Sequence, residues 1–167
     1  MTDKLELLEK LPEELPEKSG GEEKKPITVC FVCTGNVCRS PMAAAVLNHL
    51  GKGEYRAISA GVAACDGDRI SENARLALKD AGIESTADND YEGHRAKNLD
   101  ERTVAECDRI VAISSRHMLS VLYAFPEAAP KLCAMPRDIP DPFMMGIDVY
   151  KACLAEITAG IREAFEL

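Results

Sequence analysis

ITVCFVCTGNVCRSP, residues 27–41, changes character within a few residues. Ile27 to Val32 is a short run of β-branched and apolar side chains, the pattern of a strand buried on both faces. Gly35 and Asn36 end it, and both residue types tolerate a positive φ. Arg39 and Ser40 follow, and Pro41 suits the first turn of a helix. Met42 to Leu50 then supplies alanines and other helix formers. The order is strand, tight loop, helix. Such a loop turns backbone N–H groups inward, and the helix start adds partial positive charge, so together they make an anion site. Cys33 opens the loop and Arg39 closes it, with five residues between. A thiol at the mouth of an anion nest has its thiolate stabilised and becomes a nucleophile. A guanidinium opposite it can grip two oxygens of a tetrahedral oxyanion. Thiolate plus oxyanion cradle points to phosphoryl transfer through a cysteinyl phosphate.

Composition narrows the setting. The chain has 167 residues, 46% of them hydrophobic, enough for one cored domain with an appendage. A net charge of −8 argues against a broad basic surface for nucleic acid. No run approaches the ~18 apolar residues of a membrane span, and MTDKLELLEK lacks the apolar core of a secretory signal. Seven cysteines without framework spacing fit reduced thiols, and the cytoplasm is the expected compartment.

Residues 1–25 read as a flexible charged extension. Within it, DKLELLEKL can form a short amphipathic helix with Leu5, Leu8 and Leu11 on one side, and Pro12 and Pro16 interrupt it. Residues 26–167 form the domain, in which strands and helices alternate. Tyr55 to Ala60 reads as a second strand, ended by Gly61. Ser71 caps a helix to Ala81, and Gly82 closes it. Ser85 to Leu99 is polar and irregular. Asp100 caps a short helix through Glu106. Arg109 to Ile113 is a strand, followed by a helix from Ser114 or Ser115 to about Tyr123. Lys131 to Met135 is a fourth strand, and Pro136 to Pro142 a proline-rich loop. Ile147 to Phe165 repeats apolar residues at helical period. This alternation predicts an α/β three-layer sandwich with a central four-stranded parallel sheet and helices on both faces. A ligand then sits at the carboxyl ends of the strands, where Cys33 lies.

CTGNVCRSP, residues 33–41, resembles the signature of the low-molecular-weight protein tyrosine phosphatases. That family also contains protein arginine phosphatases and a class of arsenate reductases. The resemblance runs over about residues 26–165, through SAG (Ser59 to Gly61), HRAK (His94 to Lys97), the Asp-Pro loop and the last helix. It implies Cys33 as nucleophile, Arg39 as phosphate ligand and Asp141, in the Asp141-Pro142 pair, as general acid. Thr34, Gly35, Asn36, Val37, Cys38 and Ser40 complete the phosphate-binding loop, with Ser40 donating its hydroxyl to the sulfur. Ser59 and His94 brace Asn36. Cys38 is the candidate resolving thiol for a reversible disulfide with Cys33. Phe143 is the candidate aromatic wall of the pocket. The resemblance implies neither cofactor nor metal. It implies a phosphorylated protein or peptide as substrate, and phosphate or related oxyanions as inhibitors.

Two features depart from tyrosine-specific members. Ser114 stands where they usually have aspartate, and DPFMMGIDVYK looks like the arginine-phosphatase side of the family. Against that, arginine phosphatases carry threonine where this chain has Val37. A protein tyrosine phosphatase is the leading reading and a protein arginine phosphatase the alternative. More distant are an arsenate reductase, for which Cys107 would be a relay thiol, and a metal-binding module on Cys30, Cys33 and Cys38. A phosphate-binding module without turnover is the non-enzymatic reading. Cys30 and Cys33 should face opposite sides of the sheet, which speaks against shared ligation.

Overall fold

The computed structural model describes residues 23–167. Strands β1 (Ile27–Cys33), β2 (Tyr55–Gly61), β3 (Arg109–Ala112) and β4 (Leu132–Ala134) form one sheet in the order β2-β1-β3-β4. Every pairing is parallel. β1 lies between β2 and β3, so both its faces are covered. That is why Val29 to Cys33 are all buried and why the run carries no polar alternation. In register, Cys33 pairs with Gly61, and Val32 pairs with Ala60 on one side and Ala112 on the other.

Helices α1 (Arg39–Leu50), α2 (Glu72–Asp80) and α5 (Ile147–Phe165) cover one face; α3 (Glu101–Glu106) and α4 (Ser115–Ala124) cover the other. The first face packs Phe31, Met42, Leu47, Leu78, Ile157 and Ile161. Phe165 closes it with its ring 5.2 Å from that of Tyr55 in an edge-on contact. The second face packs Cys30, Val32, Ile110, Val104 and Val121. Alternation along β1 sends Cys33 to the first face and Cys30 to the second, as expected. The expected caps form: Ser71 Oγ accepts from Ala74 N–H at 3.4 Å, and Asp100 Oδ1 accepts from Thr103 N–H at 2.8 Å.

Boundaries move in three places. β2 extends through Gly61, β3 stops at Ala112, and β4 shrinks to Leu132–Ala134. β4 is shortened by a 3-10 helix at Pro126–Lys131 that the sequence reading did not anticipate. Pro126 presets φ for its first turn, and Pro130 offers no N–H to a ladder. The Leu5–Leu8–Leu11 segment lies outside the described residues. Among the described residues no helix is long and apolar enough to cross a membrane.

Candidate active site

Cys33 is the last residue of β1, and its thiol lies 2.9 Å from Ser40 Oγ on α1. The loop between them is held by Asn36, which takes the left-handed conformation with φ +56°. Few residues other than glycine adopt it without cost, and asparagine is one of them. Its amide then binds everything around it. Asn36 Nδ2 donates to Ser40 Oγ and to Ser59 Oγ, both at 2.9 Å, and Oδ1 accepts from Lys97 N–H at 3.0 Å. His94 Nε2 lies 2.7 Å from the Asn36 carbonyl. Burial pushes the His94 imidazole below its usual range, against the pull of that carbonyl. The neutral ring therefore donates its single N–H there. Ser59 and His94 thus both contact Asn36. Gly61 is also required, since a Cβ there would lie 2.5 Å from the Thr34 carbonyl oxygen and 3.2 Å from Asn36 Cβ.

α1 has no side-chain N-cap and no acid in its first turn. The positive end of its dipole is left for whatever occupies the loop. Arg39 is buried, and its Nη1 donates to the Ile139 carbonyl at 3.0 Å. Its Nη2 lies 3.4 Å from Asp141 Oδ2. The Ile139–Asp141 segment is thereby seated over the Cys33–Arg39 loop. Of the two loop aspartates, Asp141 reaches the cavity, while Asp138 bonds Ser115 at the start of α4. The cavity of about 250 Å³ is lined by Cys33 to Arg39, Ala63, Cys65, Asp68, Asp141 and Phe143. Val37 and Phe143 are its apolar walls.

Several participants escaped the sequence reading. Ala63, Cys65 and Asp68 come from the connection between β2 and α2, where no motif marks them. His117 is buried on α4, with Nε2 2.9 Å from Thr34 Oγ1 and Nδ1 2.8 Å from Ser114 Oγ. Burial, helped by the nearby Arg39 and Arg116 charges, pushes its pKa down to about 4. Tyr150 lies on the buried face of α5. Its hydroxyl lies 3.2 Å from the Cys38 thiol, which also donates to Ser71 Oγ at 3.4 Å. Burial raises the pKa of Cys38, and it raises that of Tyr150 to about 12. Cys107 sits behind the sheet, packed in the same cluster as Cys30 and on the opposite face from Cys33. That placement gives a disulfide relay between Cys33 and Cys107 no direct route.

A nucleophile at a strand end, an oxyanion cradle at a helix start and a carboxyl above them can together carry out acid-assisted phosphoryl transfer. The family model for low molecular weight phosphotyrosine protein phosphatase matches residues 28–166, and the chain belongs to that family. A protein-arginine-phosphatase from Geobacillus stearothermophilus is 36% identical over 139 residues, covering 79% of this chain and 89% of that protein. A low molecular weight protein-tyrosine-phosphatase from Streptomyces coelicolor is 30% identical over 153 residues, covering 78% of this chain and 87% of that protein. The solved low molecular weight protein tyrosine phosphatase of T. tengcongensis superposes with a TM-score of 0.76 at 35% identity, covering 84% of this chain and 98% of that one.

Proposed function

We propose that this chain is a protein tyrosine phosphatase working through a cysteinyl-phosphate intermediate. Cys33 Sγ attacks phosphorus in line with the leaving phenolic oxygen, and that oxygen takes its proton from Asp141. Arg39 and the loop N–H groups hold the three remaining oxygens as charge shifts between them. Ser40, 2.9 Å from the sulfur, stabilises the thiolate both before attack and as it leaves again. Water, deprotonated by Asp141, then hydrolyses the phosphoenzyme. The substrate is a phosphorylated protein or peptide, free phosphate and its analogues compete for the loop, and the cytoplasm fits the thiol content.

The observation that carries the choice of tyrosine is Val37. It lines the cavity with Phe143 and presents methyl groups where a hydroxyl would serve a polar leaving group. An aromatic ring gains from packing against both apolar walls, whereas a guanidinium gains from stacking on Phe143 but not from the Val37 methyl groups. The second reading, a protein arginine phosphatase, is favoured by the resemblance to the Geobacillus protein. The test is kcat/KM for phosphotyrosine and phosphoarginine peptides side by side, in the wild type and in Val37→Thr. The wild type should prefer phosphotyrosine, and the variant should shift toward phosphoarginine. A wild type that strongly prefers phosphoarginine would overturn the reading.

A further inference from the structure

One helical turn joins the loop that carries Cys33 to the loop that carries Asp141. It is the first turn of α4. From it, His117 reaches Thr34, the residue after Cys33, at 2.9 Å. From the same turn, Ser115 N–H donates to Asp138 Oδ1 at 2.9 Å, and Ser115 Oγ donates to Oδ2 at 2.9 Å. Asp138 lies three residues before Asp141. The partners are 83 positions apart in the first contact and 23 in the second, so neither is a local turn bond.

We infer that the first turn of α4 is a positioning bridge that sets the phosphate loop against the acid loop, with His117 and Asp138 as its two positioning residues. The inference rests on the phosphatase reading above. Its chemistry is directional. A neutral imidazole has one donor and one acceptor nitrogen, so the Ser114 and Thr34 hydroxyls must take opposite roles on it. Ser114 thus completes a relay that ends on the phosphate loop. Thr34 is held from the other side as well, because its carbonyl accepts from Ala63 N–H at 3.0 Å. On the acid side, the Asp138 cap and the bond from Arg39 to the Ile139 carbonyl fix two successive residues before the Pro140-Asp141 step. In-line transfer needs sulfur and carboxyl on opposite sides of phosphorus, and a misplacement of roughly 1 Å can cost on the order of 10²-fold. Packing alone would not need a polar ring between two hydroxyls.

The test uses the full chain and a series of aryl phosphates with good and poor leaving groups. The variants are Thr34→Val, His117→Ala, His117→Gln, Asp138→Asn and the double variant Thr34→Val/His117→Ala. Thr34 is exposed, so Thr34→Val should fold whatever happens to the buried His117 variants. Thr34→Val and His117→Ala should each lower kcat roughly five- to tenfold with KM little changed, the scale of one neutral hydrogen bond. The double variant should be no worse than either single one, and His117→Gln should recover part of the loss. Asp138→Asn should slow poor leaving groups more than good ones, in the pattern of Asp141→Asn but less severely. Unchanged kcat in folded Thr34→Val, additive losses in the double variant, or an Asp138→Asn effect equal for all leaving groups would each overturn the bridge. Cys33→Ser runs in parallel: if it still turns over, the phosphatase reading fails; if it is dead while the bridge variants keep wild-type rates, only the bridge does.

Discussion

Asp141 holds two positions at once. Oδ1 accepts from Phe143 N–H at 3.1 Å, the ordinary turn bond of an Asp-Pro step, and Oδ2 faces Arg39 at 3.4 Å. The turn aims the carboxyl, so the turn bond does not compete with the proposed role as acid. Asp141→Asn should therefore keep the turn and lose the proton. We expect losses of ~10²–10⁴ for poor leaving groups and far smaller ones for good leaving groups, read from kcat across the series. Cys33→Ser should abolish turnover while phosphate still binds, as calorimetry would show. His117 makes a separate prediction about stability. Its folded pKa, near 4, lies below its ordinary value of 6.5, so the unfolded chain takes up a proton first. Stability should fall as pH drops from about 6.5 toward 4, by at most ~1.4 kcal/mol per unit, and His94 adds to it with the same sign. His117→Gln should flatten that stretch in denaturant titrations. At this scale much was legible. Cys33, Asn36, Arg39 and Asp141 announce themselves because each needs a particular residue type at a particular spacing. His117 and Tyr150 do not, since a polar tip on a helix reads the same whether it faces water or a loop far along the chain.

Elements hold the loop from three sides. The end of β2 presses on it at Gly61. Gly61→Ala should push against the Thr34 carbonyl and Asn36 and cost about 1–3 kcal/mol, with activity falling further than stability. Thermal midpoint and kcat measured together would separate the two. From α2 and α5, Ser71 and Tyr150 hold the Cys38 thiol. Peroxide would oxidise the Cys33 sulfur to a sulfenic acid, which the Cys38 thiol would condense with, releasing water and forming a disulfide. Brief peroxide should inactivate the enzyme and a dithiol restore it. Tyr150→Phe should slow the trapping step, because the Tyr150 hydroxyl lowers the Cys38 pKa against the burial that raises it, and peptide mapping that joins Cys33 to any other cysteine would refute the pairing. The helices themselves were readable from Ser71, Asp100 and the period of α5. The 3-10 turn at Pro126–Lys131 was not, because prolines flanking alanines serve a loop and a tight helix equally well.

Across the whole molecule, alternating strands and helices were enough to predict a parallel sheet covered on both faces. Strand order was not, because a β-α-β pattern does not say on which side of β1 each later strand is added. Among the described residues both packed faces are built from Ile27 onward, and the family match starts at residue 28. Removing residues 1–25 should therefore leave kcat/KM for an aryl phosphate within about twofold, a small change on the tenfold scale of 1.4 kcal/mol. A larger loss would give the extension a part in the reaction.

The bond between Cys38 and Tyr150 spans 112 positions. Seen from the ribosome, that separation is a delay. At ~5–20 residues per second, the phosphate loop emerges roughly 6–20 s before the helix that steadies it. A nascent chain holds its reactive thiol early and its acid late. Stalled chains ending before α5 should thus be labelled at Cys33 by a thiol reagent yet hydrolyse nothing, and hydrolysis should begin only once the last helix clears the exit tunnel.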